Sequence, residues 1–262
     1  MSNRTRSIIT LIVMILGVIL ANYLGFRANA DTGDIANQTF NDTNYFFPAT
    51  YVFTTIWPVI YTGLVAWAVY QALPSQQDNP RFRAAAPWLM LNIALNGLWV
   101  YVFGLKAFVS TLPIMIVLVA TTVIIHRKLR INQEPVGRVE RWLQIPISIY
   151  LGWLTVATVA NVAAALIAVG WNGFGISAEV WALLMLLVGA GLAVFLYRGL
   201  GQDVVIPLVY LYAYVGIIVR YSDEPLVLVG AAAGAVIVAA VAARHFLSGS
   251  REKPQISQIS QI

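Results

Sequence analysis

The chain has 262 residues, of which 60% are hydrophobic and only 10% are charged. An ordinary soluble domain carries about 25% charged residues, so this chain has too few polar groups to cover a water-exposed surface. The composition indicates a polytopic membrane protein and excludes a soluble enzyme, a disordered chain and a nucleic-acid-binding protein. The chain contains no cysteine, which excludes disulfides, zinc–thiolate sites and iron–sulfur clusters.

Eight apolar segments follow one another along the chain, each near the roughly 20 residues that a helix needs to cross a bilayer. Backbone groups in lipid must bond within their own segment, so each segment is predicted to be a helix. The first is interpreted as a retained span, because its apolar stretch of about 18 residues is longer than the usual signal-peptide core. The predicted spans are Ser7–Gly25, Pro48–Leu73, Pro87–Gly104, Phe108–His126, Trp142–Val169, Val180–Tyr197, Val204–Val219 and Pro225–Arg244.

The positive charges fall mostly on one side of this eight-span arrangement. With the N-terminus inside, the other side holds only Arg27, Lys106 and Arg220. Lys and Arg collect in cytoplasmic loops, so both termini are predicted to be cytoplasmic, and the net charge of +5 reflects topology. The cytoplasmic set has 13 of the 16 basic residues: Arg4, Arg6, Arg81, Arg83, Arg127, Lys128, Arg130, Arg138, Arg141, Arg198, Arg244, Arg251 and Lys253.

The predicted spans contain no Asp, Glu, Lys or Arg far from their ends. Such residues mark proton relays and ion pathways, so a proton-driven transporter is not favoured. A membrane hydrolase would need a nucleophile–base pair or paired acids, and the spans hold neither. The two histidines, His126 and His245, fall near the ends of spans four and eight. We interpret them as interfacial side chains, with a pair of axial haem ligands as the alternative.

Polarity within the predicted spans comes from amides, hydroxyls and indoles. Asn92 and Asn96 lie four residues apart, on one face of span three, and Asn161 lies near the middle of span five. These amides are expected to face the bundle interior, either as hydrogen bonds between helices or as polar points in a ligand cavity. The inner tryptophans have two interpretations as well, core packing or the flat walls of an aromatic cavity. They are Trp57, Trp67, Trp99 and Trp153.

Three strings, Pro48–Gly63, Asn92–Gly104 and Tyr150–Asn161, share a pattern of aromatic residues and amides. The first has a Trp six residues after a Tyr and another Tyr four later. The second has Asn, Asn four later and Trp three later, and the third has Tyr, Trp three later and Asn eight later. In this order, the strings resemble helices two, three and five of the translocator protein family (TspO, or tryptophan-rich sensory proteins). The segment Ala120–Val123 is similar to the fourth helix of that family.

The resemblance covers roughly residues 7–170 and implies a fold. It implies an all-α integral membrane protein, a five-helix TspO-like bundle plus three additional transmembrane helices. We expect the bundle at residues 1–172, an additional three-helix membrane segment at residues 173–247, and a disordered polar tail at residues 248–262. The three extra helices would cover a lipid-facing side of the bundle or form the face of a homodimer.

The resemblance also implies ligands. Family members bind porphyrins, haem-related tetrapyrroles and, in animals, sterols, and some bacterial members are reported to promote light-dependent porphyrin degradation. No obligatory cofactor, metal site or catalytic set is expected, with porphyrin or haem as a ligand instead. The ligand-binding residues carried over from the three strings are Tyr51, Trp57, Tyr61, Asn92, Asn96, Trp99, Phe103, Trp153, Ala157 and Asn161.

The expected function is that of a membrane receptor, sensor or carrier for tetrapyrroles or other apolar planar ligands. A transporter of an apolar solute and a structural subunit of a membrane complex are the alternatives. The expected partners are the lipid bilayer and a tetrapyrrole or sterol-like small molecule, and not nucleic acid. We expect a multi-pass protein of the bacterial inner membrane.

The charge pattern makes a testable prediction about topology. Reporter domains fused after Arg251 and inserted within 31–44 should report opposite sides of the membrane, with the C-terminal reporter in the cytoplasm. Paired cytoplasm-active and exterior-active reporters at each position provide the measurement. A C-terminal reporter on the outside would contradict the eight-span arrangement.

Overall fold

The computed structural model describes residues 2–32 and 44–249. Most of the predicted polar tail, residues 250–262, and the centre of the long loop after the first span lie outside the described residues. The regular structure within the described ranges is helical, as the composition predicted. The helices are α1 (Asn3–Thr32), α2 (Thr50–Ala72), α3 (Pro80–Gly104), α4 (Phe108–Lys128), α5 (Arg138–Ala168), α6 (Ala178–Gly199), α7 (Val205–Arg220) and α8 (Pro225–Gly249).

Seven of these helices are long and apolar enough to cross a membrane. The remaining helix, α7, has 16 residues. At 1.5 Å per residue it is about 24 Å long, whereas the hydrocarbon core of a bilayer is about 30 Å thick. Its ends still reach both ends of the bundle. Asp203, just before α7, contacts His126 at the end of α4, and Arg220 at its other end lies over the Phe47 ring beside the start of α2.

Helices α3 and α5 begin earlier than hydropathy predicts, because polar side chains stabilise their first turns outside the apolar stretch. In α3, the Asn79 side chain accepts a hydrogen bond from the Arg81 backbone nitrogen at 3.1 Å, and Pro80 occupies the first turn, where its missing N–H costs nothing. The early turn of α5 carries Glu140, which pairs with Arg81 at 2.9 Å. The two polar extensions therefore hold each other in place.

The loops and helix ends gather at two opposite ends of the bundle. At the end that holds most of the basic residues, here called the basic end, the Arg6 guanidinium donates to the Gln77 carbonyl at 2.8 Å. At the opposite end, the Tyr221 hydroxyl donates to the Asn44 carbonyl at 2.9 Å. Burial, together with the hydrogen bond that Tyr45 donates to Glu179, raises the pKa of Tyr45 to about 12, so this hydroxyl stays a neutral donor.

The apolar core is continuous across the N-terminal and C-terminal helices. One buried cluster is built mainly from α2 to α5 and includes Trp67 and Trp153, and it reaches Val209 on α7. A second cluster, built mainly from α6 to α8, includes Leu151 of α5. Helix α7 contributes to both clusters, and so packs the last three helices against α5.

A close approach between α2 and α5 depends on a glycine. A Cβ atom added at Gly63 would lie 2.2 Å from the Cβ and 2.3 Å from the Cγ of Pro146, far inside van der Waals contact. Small residues let membrane helices approach closely, and the proline ring facing Gly63 cannot rotate away. This contact sets the spacing of the two helices that carry Trp57 and Trp153.

We therefore predict that Gly63→Ala destabilises the bundle. Overpacking of this kind costs about 1–3 kcal/mol, which should appear as a lower midpoint of thermal unfolding in detergent. Gly191→Ala is the matched control, because a Cβ at Gly191 meets no atom within 4 Å. Equal midpoints for the two variants would show that the α2–α5 contact is not tight.

Candidate functional site

An aromatic cavity of about 400 Å³ lies among α1, α2, α3 and α5, towards the end opposite the basic end. Its described lining residues include no Asp, Glu, Lys, Arg or His. Seven of the residues that the sequence assigned to a ligand site line this cavity. They are Trp57, Tyr61, Trp99, Phe103, Trp153, Ala157 and Asn161.

The aromatic wall of the cavity is organised around Trp57. Its ring stacks on Tyr61, with centroids 5.2 Å apart, and on Trp99, with centroids 6.2 Å apart and planes 25° from parallel. Trp153 meets Trp57 edge-on, at 6.5 Å and 88°. Trp57 and Trp99 both line the cavity, and Ala157 adds only a methyl group to the lining.

Asn161 joins three helices at the edge of the aromatic cavity. Its Oδ1 accepts hydrogen bonds from Trp99 Nε1 at 3.2 Å and from Thr111 Oγ1 at 3.0 Å. Its Nδ2 donates to the Ala157 carbonyl at 2.9 Å. The amide thus fixes the ring of Trp99 on α3 and the start of α4 to α5, while it also lines the cavity.

Trp153 brings an unused donor to the aromatic cavity. The side chain is 1% exposed, and its Nε1 has no hydrogen-bond partner among the described residues. A buried indole N–H normally finds an acceptor, and leaving one unpaired costs about 1–3 kcal/mol. Because Trp153 lines the cavity, an occupant whose acceptor reaches this N–H would satisfy it.

Three of the predicted site residues lie elsewhere. Tyr51 is 40% exposed and packs against Tyr212, because six residues place it about 120° around α2 from Trp57. Asn92 faces α4, where its Nδ2 lies within hydrogen-bond distance of the Leu118 carbonyl and of two threonine hydroxyls. Asn96 lies behind the aromatic wall and accepts a hydrogen bond from Tyr61 at 2.8 Å.

Comparison with known proteins identifies the family. A family model described as TSPO-like protein matches residues 4–244. The chain belongs to the TSPO-like protein family. The match extends past residue 170, where the motif resemblance ends, and includes α6, α7 and nearly all of α8. No curated protein and no solved structure matches the chain.

Several lining residues of this TSPO-like protein were not predicted from sequence. Phe53 shares a helix face with Trp57 and Tyr61 at four-residue spacing, so this stripe on α2 was a signal that could have identified it. Asn22 on α1 and Phe47 in the segment before α2 also line the cavity. No sequence pattern indicated these two residues, because neither belongs to a motif shared with the other lining helices.

The structure corrects the interpretation of His126. This side chain is fully buried, not interfacial, and its Nε2 lies 2.8 Å from Oδ2 of Asp203, which is 1% exposed. His245 has another partner, since its Nδ1 lies 3.1 Å from the Tyr197 hydroxyl. In this TSPO-like protein the two imidazoles therefore contact separate partners, an arrangement that does not favour the alternative of a pair of haem ligands.

The hydrogen bonds of Asn161 predict a measurable loss of stability. Asn161→Ala should lower the free energy of unfolding by about 1–2 kcal/mol, because the Trp99 indole N–H loses its acceptor and the Thr111 hydroxyl keeps only the Phe108 carbonyl of its own helix. Thr158→Ala is the control on the same helix, since the Thr158 hydroxyl donates only to the Leu154 carbonyl of its own helix. Thermal unfolding in detergent compares them, and equal losses would show that the amide does not tie the helices together.

Proposed function

We propose that this TSPO-like protein is a membrane receptor or carrier that binds an apolar planar ligand in its aromatic cavity. A tetrapyrrole such as a porphyrin is the ligand class that we favour. The observation that carries this proposal is an uncharged, tryptophan-walled cavity with an unpaired buried indole donor. Membership of the TSPO-like family agrees with a binding role.

The size and lining of the aromatic cavity favour a largely neutral ligand. Small-molecule sites occupy about 300–1,000 Å³, with mostly apolar walls and a few placed polar groups, and this cavity has about 400 Å³. A charge buried here would have no counter-ion among the lining residues, at a large desolvation cost. The part of the ligand inside the cavity should therefore be uncharged.

The orientation of the rings favours a flat ligand. Trp57 and Trp99 both line the cavity, with ring planes 25° from parallel, so they supply aromatic surface against which a planar ring can lie. Aromatic pairs of this kind are worth about 0.5–1.5 kcal/mol beyond their buried area. A ring nitrogen or carbonyl oxygen of the ligand could accept the hydrogen bond from Trp153.

A positive charge lies beside the cavity at the end opposite the basic end. The Arg220 guanidinium carbon lies 5.8 Å from the centre of the Phe47 ring, and Phe47 lines the cavity. Porphyrins and haem carry carboxylates at the edge of an apolar ring. Such a carboxylate could remain near Arg220 while the ring enters the cavity, a charge–charge contact that a neutral sterol cannot make.

Titration of the purified protein with protoporphyrin tests the proposal. Binding should quench tryptophan fluorescence and give a saturable difference spectrum, with cholesterol as a competitor for a sterol site. Competition by cholesterol at equal potency would favour a sterol-like ligand instead. No saturable response to protoporphyrin would contradict the proposal.

Trp153→Phe isolates the indole donor, because a flat apolar ring remains. We predict that it weakens protoporphyrin binding by about threefold to tenfold, the equivalent of one lost hydrogen bond. Trp67→Phe is the matched control, since Trp67 is equally buried and lies outside the cavity. If both variants are folded and bind alike, Trp153 does not contact the ligand.

A further inference from the structure

A second cavity, here called the polar cleft, lies at the basic end between α5 and the segment before α7. It has a volume of about 540 Å³. Its polar side chains include Arg141, Gln144, Ser148, Asp203 and His245. The aromatic cavity lies towards the other end of α5 and shares none of these residues, so the cleft goes beyond the proposed function.

The negative charge of Asp203 is already used within the protein. Its Oδ2 lies 2.8 Å from His126 Nε2 and accepts a hydrogen bond from the Ser148 hydroxyl. Its Oδ1 accepts the backbone N–H of Val205 at 3.1 Å. Three donors therefore surround this carboxylate, and it has little remaining capacity to hold a cationic ligand. The other acidic residue of the cleft, Glu134, pairs with Arg130.

Two donor side chains of the polar cleft have no hydrogen-bond or ion-pair partner among the residues that the structure describes. Gln144 is 5% exposed, and its Nε2 has no hydrogen-bond partner among the described residues. Arg141 lies three residues earlier on the same face of α5 and has no carboxylate within ion-pair distance in residues 2–32 and 44–249. A guanidinium and an amide N–H side by side match the oxygens of a phosphate group.

An apolar groove continues from the polar cleft along α2, α5 and α7. Ile145, Val204 and Val205 line both the cleft and this groove, so the two are contiguous. The groove has about 540 Å³ and follows α7 from Val205 to Tyr212, about 10 Å at 1.5 Å per residue. Its polar lining groups, the Thr55 and Tyr212 hydroxyls, bond to each other, which leaves the groove apolar.

We propose that the polar cleft and the groove together bind one phospholipid with an anionic headgroup. The phosphate accepts a hydrogen bond from Gln144 and pairs with Arg141, while one acyl chain lies in the groove against Leu208. The combined shape is that of an amphipathic molecule, with its polar part at the helix ends and its apolar part along the lipid-facing surface. A soluble anion would leave the groove empty, and a neutral apolar molecule would leave the buried Gln144 donor unpaired and the exposed Arg141 without a counter-ion.

The test measures retention of phosphatidylglycerol against phosphatidylcholine of identical acyl chains by the purified full chain, using native mass spectrometry from detergent. Phosphatidylglycerol should be retained preferentially, because the phosphate is common to both lipids but the choline cation of phosphatidylcholine repels Arg141 and finds the cleft carboxylates already paired. Arg141→Gln and Gln144→Leu should each weaken its retention by about threefold to tenfold, the loss expected for one charge-assisted or buried hydrogen bond. Arg138→Gln removes the same charge one turn earlier on α5, outside the cleft, and should have a much smaller effect.

Two further variants test whether the acyl chain binds in the groove. Leu208→Trp fills it and should weaken retention of both phospholipids, whereas Leu184→Trp, at a similarly exposed position on α6 outside the groove, should not. The proposal is overturned if Arg138→Gln and Arg141→Gln act alike, because surface charge alone would then explain retention. It is equally overturned if free glycerol 3-phosphate displaces the lipid while Leu208→Trp has no effect, since the cleft would then hold a soluble anion.

Discussion

Polar side chains inside this bundle must find partners within the protein, because lipid offers none. Three side chains meet this constraint by joining helices that are distant in sequence. Asn92 ties α3 to α4, and Asn161 ties α3 and α4 to α5. Asp203 joins the start of α7 to the end of α4 and to α5. The relative rotation of these helices, and hence the shape of each cavity, follows from these few bonds.

The same constraint applies to two side chains that line a cavity and carry a buried donor without a hydrogen-bond partner among the described residues. Trp153 lines the aromatic cavity and Gln144 lines the polar cleft, and neither Trp153 Nε1 nor Gln144 Nε2 has a hydrogen-bond partner among the described residues. A buried donor left unpaired costs about 1–3 kcal/mol, which an acceptor from outside the protein would offset. Both proposals rest on this reasoning, and they lead to different ligands because the first cavity is uncharged while the second presents Arg141.

Helix α5 connects the two cavities. It carries Trp153 and Asn161 towards one end, and Arg141 and Gln144 towards the other. Its close contact with α2 at Gly63 lies between them, so the spacing of α2 and α5 affects the aromatic wall and the lipid-facing groove together. The contribution of α7 to both core clusters explains how the last three helices become part of the same unit.

Much of the architecture follows from sequence, because hydropathy and helical periodicity act within one segment. They predict a helical membrane protein, eight helices and the inward placement of residues such as Trp57 and Asn161. Periodicity cannot show which neighbour an inward residue meets. Seven of the ten assigned site residues line the cavity, but Asn92 faces α4, because the rotation of α3 presents it to the threonines there.

The sequence could not predict the pairing of His126 with Asp203, because periodicity does not show which neighbour a residue meets. The two residues lie 77 positions apart, and each sits at a helix end where hydropathy treats polar groups as solvated. Packing of α7 against α5 buries both, and so converts two apparent surface residues into a core pair. The sequence by itself determined the class of protein, its helices and their inward faces; the tertiary structure decided which inward groups meet, because that depends on how neighbouring helices rotate and approach.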